Sequence, residues 1–431
     1  MRHTLASIAA LLSAVALLLM GNGLLGTLIP VRAQIETFST FSIGLLGSTY
    51  FLGFAAGCIY GPYLVHRVGH IRTFTAMASI VSAFSLGQGL IAMPLPWLAM
   101  RLVTGFCFAV LYIVIESWLN ERSTNETRGR VLSAYLFINL TVVTLGQFMI
   151  TLSDPAGLTL FALASILVSV AVVPVALSGA AAPQPIETVR IRISKLFHTS
   201  PIAFTGCFGV GLANGAFWTL APVFVQRSGF GITAVAMFMS ATVLGGAAGQ
   251  WPVGRLSDRM DRGLLIVIMA ALSAALGVAV ILSGAVSLMW LLVAAAAWGA
   301  FSFPLYAVTV AQANDHARPT EFVETSGGLL LTYAAGAVLG PMMATGSMSI
   351  LQPEGLYAFT ALVHFLVAAI AYGQLRTEKA VPEEEHIPFT VALQAAQTIS
   401  PTFDAQIQET NVQEQRAAPD VDAPAAGIHS G

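Results

Sequence analysis

Asn22-Gly23-Leu24-Leu25-Gly26-Thr27-Leu28-Ile29-Pro30-Val31 returns, 192 positions later, as Asn214-Gly215-Ala216-Phe217-Trp218-Thr219-Leu220-Ala221-Pro222-Val223. The same offset of 192 carries Leu52-Gly53 onto Leu244-Gly245, Ala55-Ala56-Gly57 onto Ala247-Ala248-Gly249, and Arg67 onto Arg259. Further along, the offset drifts to 194. There Leu111-Tyr112 matches Leu305-Tyr306, Asn120 matches Asn314, and Leu145-Gly146 matches Leu339-Gly340. A register held over so many positions marks an internal duplication, so the chain reads as two equivalent halves.

Composition says what each half is made of. Only 9% of the 431 residues are charged, 56% are hydrophobic, and the mean hydropathy is +0.79. A soluble domain carries about a quarter charged residues. Twelve apolar stretches are long enough to span a bilayer. They lie near 5–29, 42–62, 73–93, 96–119, 131–151, 156–178, 201–224, 233–253, 263–283, 287–311, 325–346 and 355–375. The fold class is therefore an all-α membrane protein with twelve transmembrane helices in two parallel six-helix repeats. Six spans is an even number, so both halves enter the membrane from the same side, and a binding site is expected between them near the midplane.

The expected organisation is an N-terminal bundle over 1–179, a cytoplasmic linker over 180–200, a C-terminal bundle over 201–376 and a disordered cytoplasmic tail over 377–431. The linker carries Pro183 and Pro185, and the tail an acidic run at Glu383-Glu384-Glu385. Residues 388–412 have some amphipathic helical character. With the N-terminus inside, sixteen of the nineteen Lys and Arg fall in cytoplasmic segments, Arg32 and Arg227 fall outside, and Arg101 lies within a span. This satisfies the positive-inside rule and puts both termini in the cytoplasm.

Several function classes drop out. A net charge of −2 leaves no basic surplus for nucleic acid. Cys58, Cys107 and Cys207 lie in separate apolar runs without metal-ligand spacing, so neither a disulfide framework nor a metal site is expected. No phosphate loop, nucleophile elbow or H-E-x-x-H stretch occurs, so no catalytic residues, enzyme activity or cofactor are expected.

The loop Gly254-Arg255-Leu256-Ser257-Asp258-Arg259-Met260-Asp261-Arg262 resembles the signature loop of the major facilitator superfamily, G-x-L-x-D-R-x-x-R. Its counterpart in the first half is Pro62-Tyr63-Leu64-Val65-His66-Arg67-Val68-Gly69-His70, where a histidine replaces the acidic residue. Arg101 and Gly105 resemble the fourth-helix R-x-x-x-G element of the same family. The stretch Ile115-Glu116-Ser117-Trp118-Leu119-Asn120, with Arg67-Val68-Gly69-His70, is similar to the YcaD-like branch. Alphaproteobacterial transporters of that kind include a riboflavin transporter family. The resemblance implies a secondary transporter of the bacterial inner membrane that moves a small organic solute by rocking its two halves. Uptake and riboflavin are the direction and substrate it suggests, with protons as the coupling ion and a monomer as the working unit.

Candidate residues follow from chemistry at membrane depth, where polar groups are costly unless used. Asn22 and Asn214 form a symmetric pair of donors and acceptors in spans one and seven, or a pair of helix–helix bonds. Trp218, four residues past Asn214, and the repeat partners Tyr112 and Tyr306 can offer ring faces to a flat solute. Span four carries Arg101, Gly105, Tyr112, Glu116 and Asn120 roughly on one face. Arg101 is a candidate for binding an anionic group or for snorkelling outward. Glu116 is the candidate for proton coupling, or a structural partner for Arg130, Arg67 or Arg72. Arg67, Asp258, Arg259 and Arg262 are expected to gate the cytoplasmic side through helix-end contacts. Asp315, His316, Glu321 and Glu324 are expected to form ion pairs there. Trp118, Trp298 and Phe301 are further aromatic candidates, and His364 is expected to pack. Two other readings stay open: proton-coupled efflux of drugs or metabolites, and a non-transporting membrane sensor on the same scaffold. The Gly-Pro element that marks span five in many drug antiporters falls instead in span eleven, at Gly340-Pro341.

Overall fold

The computed structural model of the chain describes residues 2–121, 125–177, 196–197, 199–284, 286–318, 322–376, 378, 381–382, 386–389 and 391–393. It excludes the side chains of 2–10, 120–121, 125–134, 136 and 322–323. Twelve long helices run through the described residues. The first six are α1 (Arg2–Ile35), α2 (Thr40–Val68), α3 (His70–Leu90), α4 (Pro94–Glu121), α5 (Asn125–Phe148) and α6 (Thr159–Val170, with one further turn at Val172–Ala176). The second six are α7 (Pro201–Arg227), α8 (Ile232–Ser257), α9 (Arg262–Gly284), α10 (Leu288–His316), α11 (Phe322–Leu351) and α12 (Gly355–Gln374).

Each expected span has its helix. Among the described residues nine apolar runs qualify as membrane-crossing by length and hydropathy, the last of them, Glu324–Gln374, covering both α11 and α12. α3 is not among them, and in α5 the apolar part is the shorter run Phe137–Leu152. Several helices run past their apolar cores because hydropathy locates the lipid-facing stretch while caps locate the backbone end. Ser39, Ser200 and Ser287 each accept a backbone N–H at a helix start. Gly69, at φ 90°, provides the turn between α2 and α3 that a side chain would resist.

The repeat is visible in the packing. α1 lies on α5 as α7 lies on α11, α2 on α4 as α8 on α10, and α3 on α6 as α9 on α12. Between the halves, α2 meets α11 and α5 meets α8, which are the two copies of one contact. The duplicated glycines sit at the closest crossings. A Cβ on Gly53 would fall 1.8 Å from the Leu102 carbonyl oxygen, and one on Gly245 2.0 Å from that of Ala296. Backbone against backbone at that range admits no side chain, which is why these positions survive in both copies.

The molecule has two ends. One carries the α1–α2 and α7–α8 turns (the far end); the other carries the start of α1, the end of α12 and the signature loops (the tail end). At the far end the halves meet side chain to side chain. Arg227 donates to Gln34 Oε1 at 2.9 Å and to Thr40 Oγ1 at 2.8 Å. Gly44 abuts Thr345, and Gly47 abuts Thr219. The expected linker falls, from 180 to 195, outside the described residues, as do 394–431 of the expected disordered tail. Between 378 and 393, however, the tail's described residues lie bonded against the bundle rather than free of it. Its Phe389, Val391 and Ala392 are buried apolar groups, which no charge or proline count reveals.

Candidate functional site

A cavity of about 460 Å³ lies between the halves, lined by α1, α2, α4 and α5 from one and α7, α8, α10 and α11 from the other. That is within the usual size of a small-molecule site. Each half presents a different chemistry.

The N-terminal half supplies most of the polar groups. Asn22 on α1 faces the hydroxyls of Tyr50 on α2 and Tyr112 on α4. The Arg101 guanidinium lies 4.1 Å from the centre of the Tyr50 ring, and its Nε donates to the Leu46 carbonyl at 3.4 Å. Stacking over a ring face suits a guanidinium in a low-dielectric site and leaves in-plane N–H groups to turn to a ligand. Asn139 and Gln147, two turns apart on α5, also line the cavity. Tyr50, Phe54 and Cys58 repeat every fourth residue and so form one face of α2.

The C-terminal half supplies a mostly apolar wall. Trp218 stacks on Phe303, with ring centres 5.8 Å apart and planes 14° from parallel. Phe217 and Trp298 brace this pair from behind, edge-on or tilted. Met239, Val243, Leu330 and Leu331 complete that side, with Tyr333 as its polar exception.

Of the residues singled out by sequence, Asn22, Tyr112, Trp218 and Arg101 line the cavity. Asn214 and Tyr306 do not. Asn214 is buried against Tyr333, and Tyr306 packs on the same ring at 4.7 Å between centres. The cause is one substitution between the repeats. At the offset of 194, Tyr333 occupies the place of Asn139. Asn22 and Asn139 both line the cavity, whereas in the second half Tyr333 lines it and Asn214, its hydrogen-bond partner, does not. Phe303, not Phe301, carries the aromatic wall, while Trp298 and Trp118 are buried in the cores of the two halves. Asn139 and Gln147 were readable as polar groups inside an apolar span. Tyr50 and Phe303 carried no such signal.

Glu116 lies one turn past Tyr112 on α4, off the cavity wall, and is 1% exposed. Cys58, Tyr112 and Tyr135 are near enough to feel its charge. The side chains of Asn120 and Arg130 fall outside the described residues. Arg67 and Arg259 are exposed at the tail end. Arg262 is instead fully buried, and its principal partner is Asp315 of α10: Nη1 donates to both carboxylate oxygens at 2.7 Å. Asp258, 3.4 Å away and 45% exposed, is its secondary partner. His364 is buried, with Ser302 Oγ 3.2 Å away and the Thr360 carbonyl 2.8 Å away. Among the described residues no three His, Cys, Asp or Glu side chains gather as a metal site.

The profile of the Major Facilitator Superfamily matches residues 11–341. The chain belongs to that superfamily. It is 27% identical over 361 residues to the uncharacterized MFS-type transporter YcaD of Escherichia fergusonii, covering 83% of this chain and 92% of that protein. To the YcaD of Escherichia coli O45:K1 it is 28% identical over 358 residues, with the same coverage. In three dimensions it is similar to the nucleoside transporter NupG, with a TM-score of 0.68 at 13% identity, over 86% of this chain and 97% of that one. It is also similar to a bacterial homolog of the human lysosomal transporter Spinster in an inward-facing, unoccupied conformation. There the TM-score is 0.66 at 14% identity, over 96% of this chain and 98% of the other. The protein is thus a multi-pass membrane transporter of the major facilitator fold, and YcaD-like in sequence.

Proposed function

We propose that this transporter imports a flat, polar organic solute across the bacterial inner membrane, with its tail end in the cytoplasm, and that riboflavin is the substrate to test first. The observation that carries the reading is the division of the cavity. Ring faces at Trp218 and Phe303 oppose a set of hydrogen-bonding groups at Asn22, Tyr112, Asn139, Gln147 and Arg101. An isoalloxazine can stack on the first wall. Its carbonyl oxygens accept from Arg101, and its ribityl hydroxyls suit the amides. A planar anion fits the same description, since Arg101 lines the cavity with a ring face rather than a carboxylate against it among the described contacts.

Coupling to protons is assigned to Glu116. It is the buried carboxylate nearest the site along α4, and Tyr112 links it to the cavity wall. Asn214 and Tyr306 act behind Tyr333, holding that ring in place, while Arg67, Asp258, Arg259 and Arg262 gate the tail end.

The test is uptake of labelled riboflavin by cells unable to make it, with and without the protein. Saturable uptake that needs the protein, falls with a protonophore and is lost in Glu116→Gln supports importer, substrate and coupling together. Uptake insensitive to both removes proton coupling alone. No uptake with the protein confirmed in the membrane removes riboflavin, and accelerated loss of a preloaded solute reverses the direction.

A further inference from the structure

The stretch beyond α12 is bonded into the signature loop. Glu378 comes first: its carboxylate accepts from Ser200 Oγ at 2.6 Å, from Gln312 Nε2 at 3.0 Å and from the Ile202 N–H at 3.1 Å. It thereby ties the chain to the first turn of α7 and to α10. Nine residues on, the backbone is captured again. The Ile387 N–H donates to Asp315 at 3.0 Å, the Phe389 N–H donates to Asp258 at 2.8 Å, and Arg262 donates to the Ile387 carbonyl. The three charged residues of the network thus each hold a backbone group of the tail.

The side chains of this segment go two ways. Phe389 lies in the core of the C-terminal half, against Gly254, where a Cβ would come within 2.6 Å of the ring. Val391 lies in the core cluster of the N-terminal half, which includes Val65, Phe74 and Trp118, and Ile387 packs against that cluster. Leu393 packs on the C-terminal side with Phe389. A turn of helix starts here, with the Val391 N–H donating to the Pro388 carbonyl at 2.9 Å. Residues four apart share a helix face, and residues two apart point nearly opposite ways. So 387 and 391 form one apolar edge and 389 and 393 the other. Both edges are covered: Phe389 is 3%, Val391 6% and Ala392 0% exposed.

From this geometry we propose that residues 386–389 and 391–393 are a wedge seated between the two halves at the tail end, and that it must leave before those ends can close. The inference rests on alternating access, and not on any choice of solute. In the conformation described here the halves meet at the far end through Arg227, Gly44 and Gly47. The opposite conformation brings the tail ends together, into the space that Phe389 and Val391 now fill. The wedge also occupies Asp258 and Arg262, the charges that the signature loop would offer to a neighbouring helix end. It therefore acts twice, as a spacer and as a competitor. It is an autoinhibitory contact, and anything that binds or modifies the tail would release it.

The test uses the full-length protein, with its native cysteines replaced, in lipid nanodiscs without solute. Spin labels at His66 in the last turn of α2 and at Arg318 just past α10, both exposed at the tail end, report the distance between the halves. Wild type is expected to show one long distance. Val391→Asp, which puts a carboxylate in an apolar seat, should raise the share of the short-distance state about tenfold, whereas Val391→Leu should not. A second protein carries a protease site after Ala380, so that the tail is cut only after folding, and this cut should produce the same shift. If the long distance persists unchanged in the cut protein and in any Val391→Asp that inserts, the wedge does not hold the halves apart and the proposal fails.

Discussion

Removing the carboxylate of Asp315 tests the energetics of the tail end most directly. Arg262 is 0% and Asp315 1% exposed at the side chain, and two bonds of 2.7 Å join them. In Asp315→Ala the guanidinium stays buried. Its remaining partners are Asp258 at 3.4 Å, the Ser257 hydroxyl and carbonyl, and the Ile387 carbonyl. Breaking a buried pair from one side costs about 3–5 kcal/mol. Asp258→Ala removes the longer, half-exposed contact to Arg262 together with the acceptor of the Phe389 N–H, and should cost about 1–2 kcal/mol. The double variant Arg262→Met with Asp315→Leu removes both charges at similar volume, leaving the carbonyls of Ser257 and Ile387 to find new donors and the Ile387 N–H a new acceptor. It should recover all but about 1–2 kcal/mol. The assay is unfolding of the purified protein in mixed micelles, followed by tryptophan fluorescence, with Arg262→Met and Asp315→Leu also made singly so that these, the double variant and wild type form a double-mutant cycle. If Asp315→Ala lies within 1 kcal/mol of wild type, or the double variant is worse than either single one, the pair is not the anchor described here.

Three further outcomes are expected. Gly53→Ala drives a Cβ onto the Leu102 carbonyl and should cost about 1–3 kcal/mol or more, seen as a sharp loss of folded protein, whereas Gly26→Ala, with nothing within 4 Å, should express normally. Trp218→Ala should weaken solute binding by about tenfold, read by quenching or calorimetry once a ligand is in hand, and the exposed Trp251→Ala should leave it unchanged. Arg227→Ala removes two bonds across the far end and should speed thiol labelling of a cysteine introduced at Thr219 by roughly tenfold.

The fold was legible because its rules are one-dimensional. Twelve apolar stretches and an offset of 192 needed no tertiary knowledge, whereas the role of the duplicated Gly53 and Gly245 at the helix crossings shows only in the packing. The site was legible only in part. Asn22 and Arg101 announced themselves as polar groups in lipid. Asn214 did the same and yet does not line the cavity, whereas its partner Tyr333, 119 positions away in the chain, does. Phe303 and Tyr50 are aromatic residues in helices full of apolar ones, and only the rotation of α10 and α2 decides that they face inward. The tail was read from composition, which sees the acidic run and the prolines. That reading is blind to three buried apolar side chains whose seats are made by both halves.

The close crossings within each half have a mechanical consequence. Where α2 meets α4, and α8 meets α10, sliding one helix along the other would push a Cβ from the neighbouring residues into a carbonyl oxygen. Each bundle is therefore stiff in shear. Between the bundles the described contacts are softer in kind: they include an arginine reaching an amide and a hydroxyl, a serine 3.5 Å from an amide oxygen, threonine methyls resting on glycines, and apolar side chains of both halves in one cluster. Compliance is concentrated in that thin layer. Load applied at the cavity by a solute is then transmitted whole to the two ends of the molecule, and the helices themselves absorb little of it.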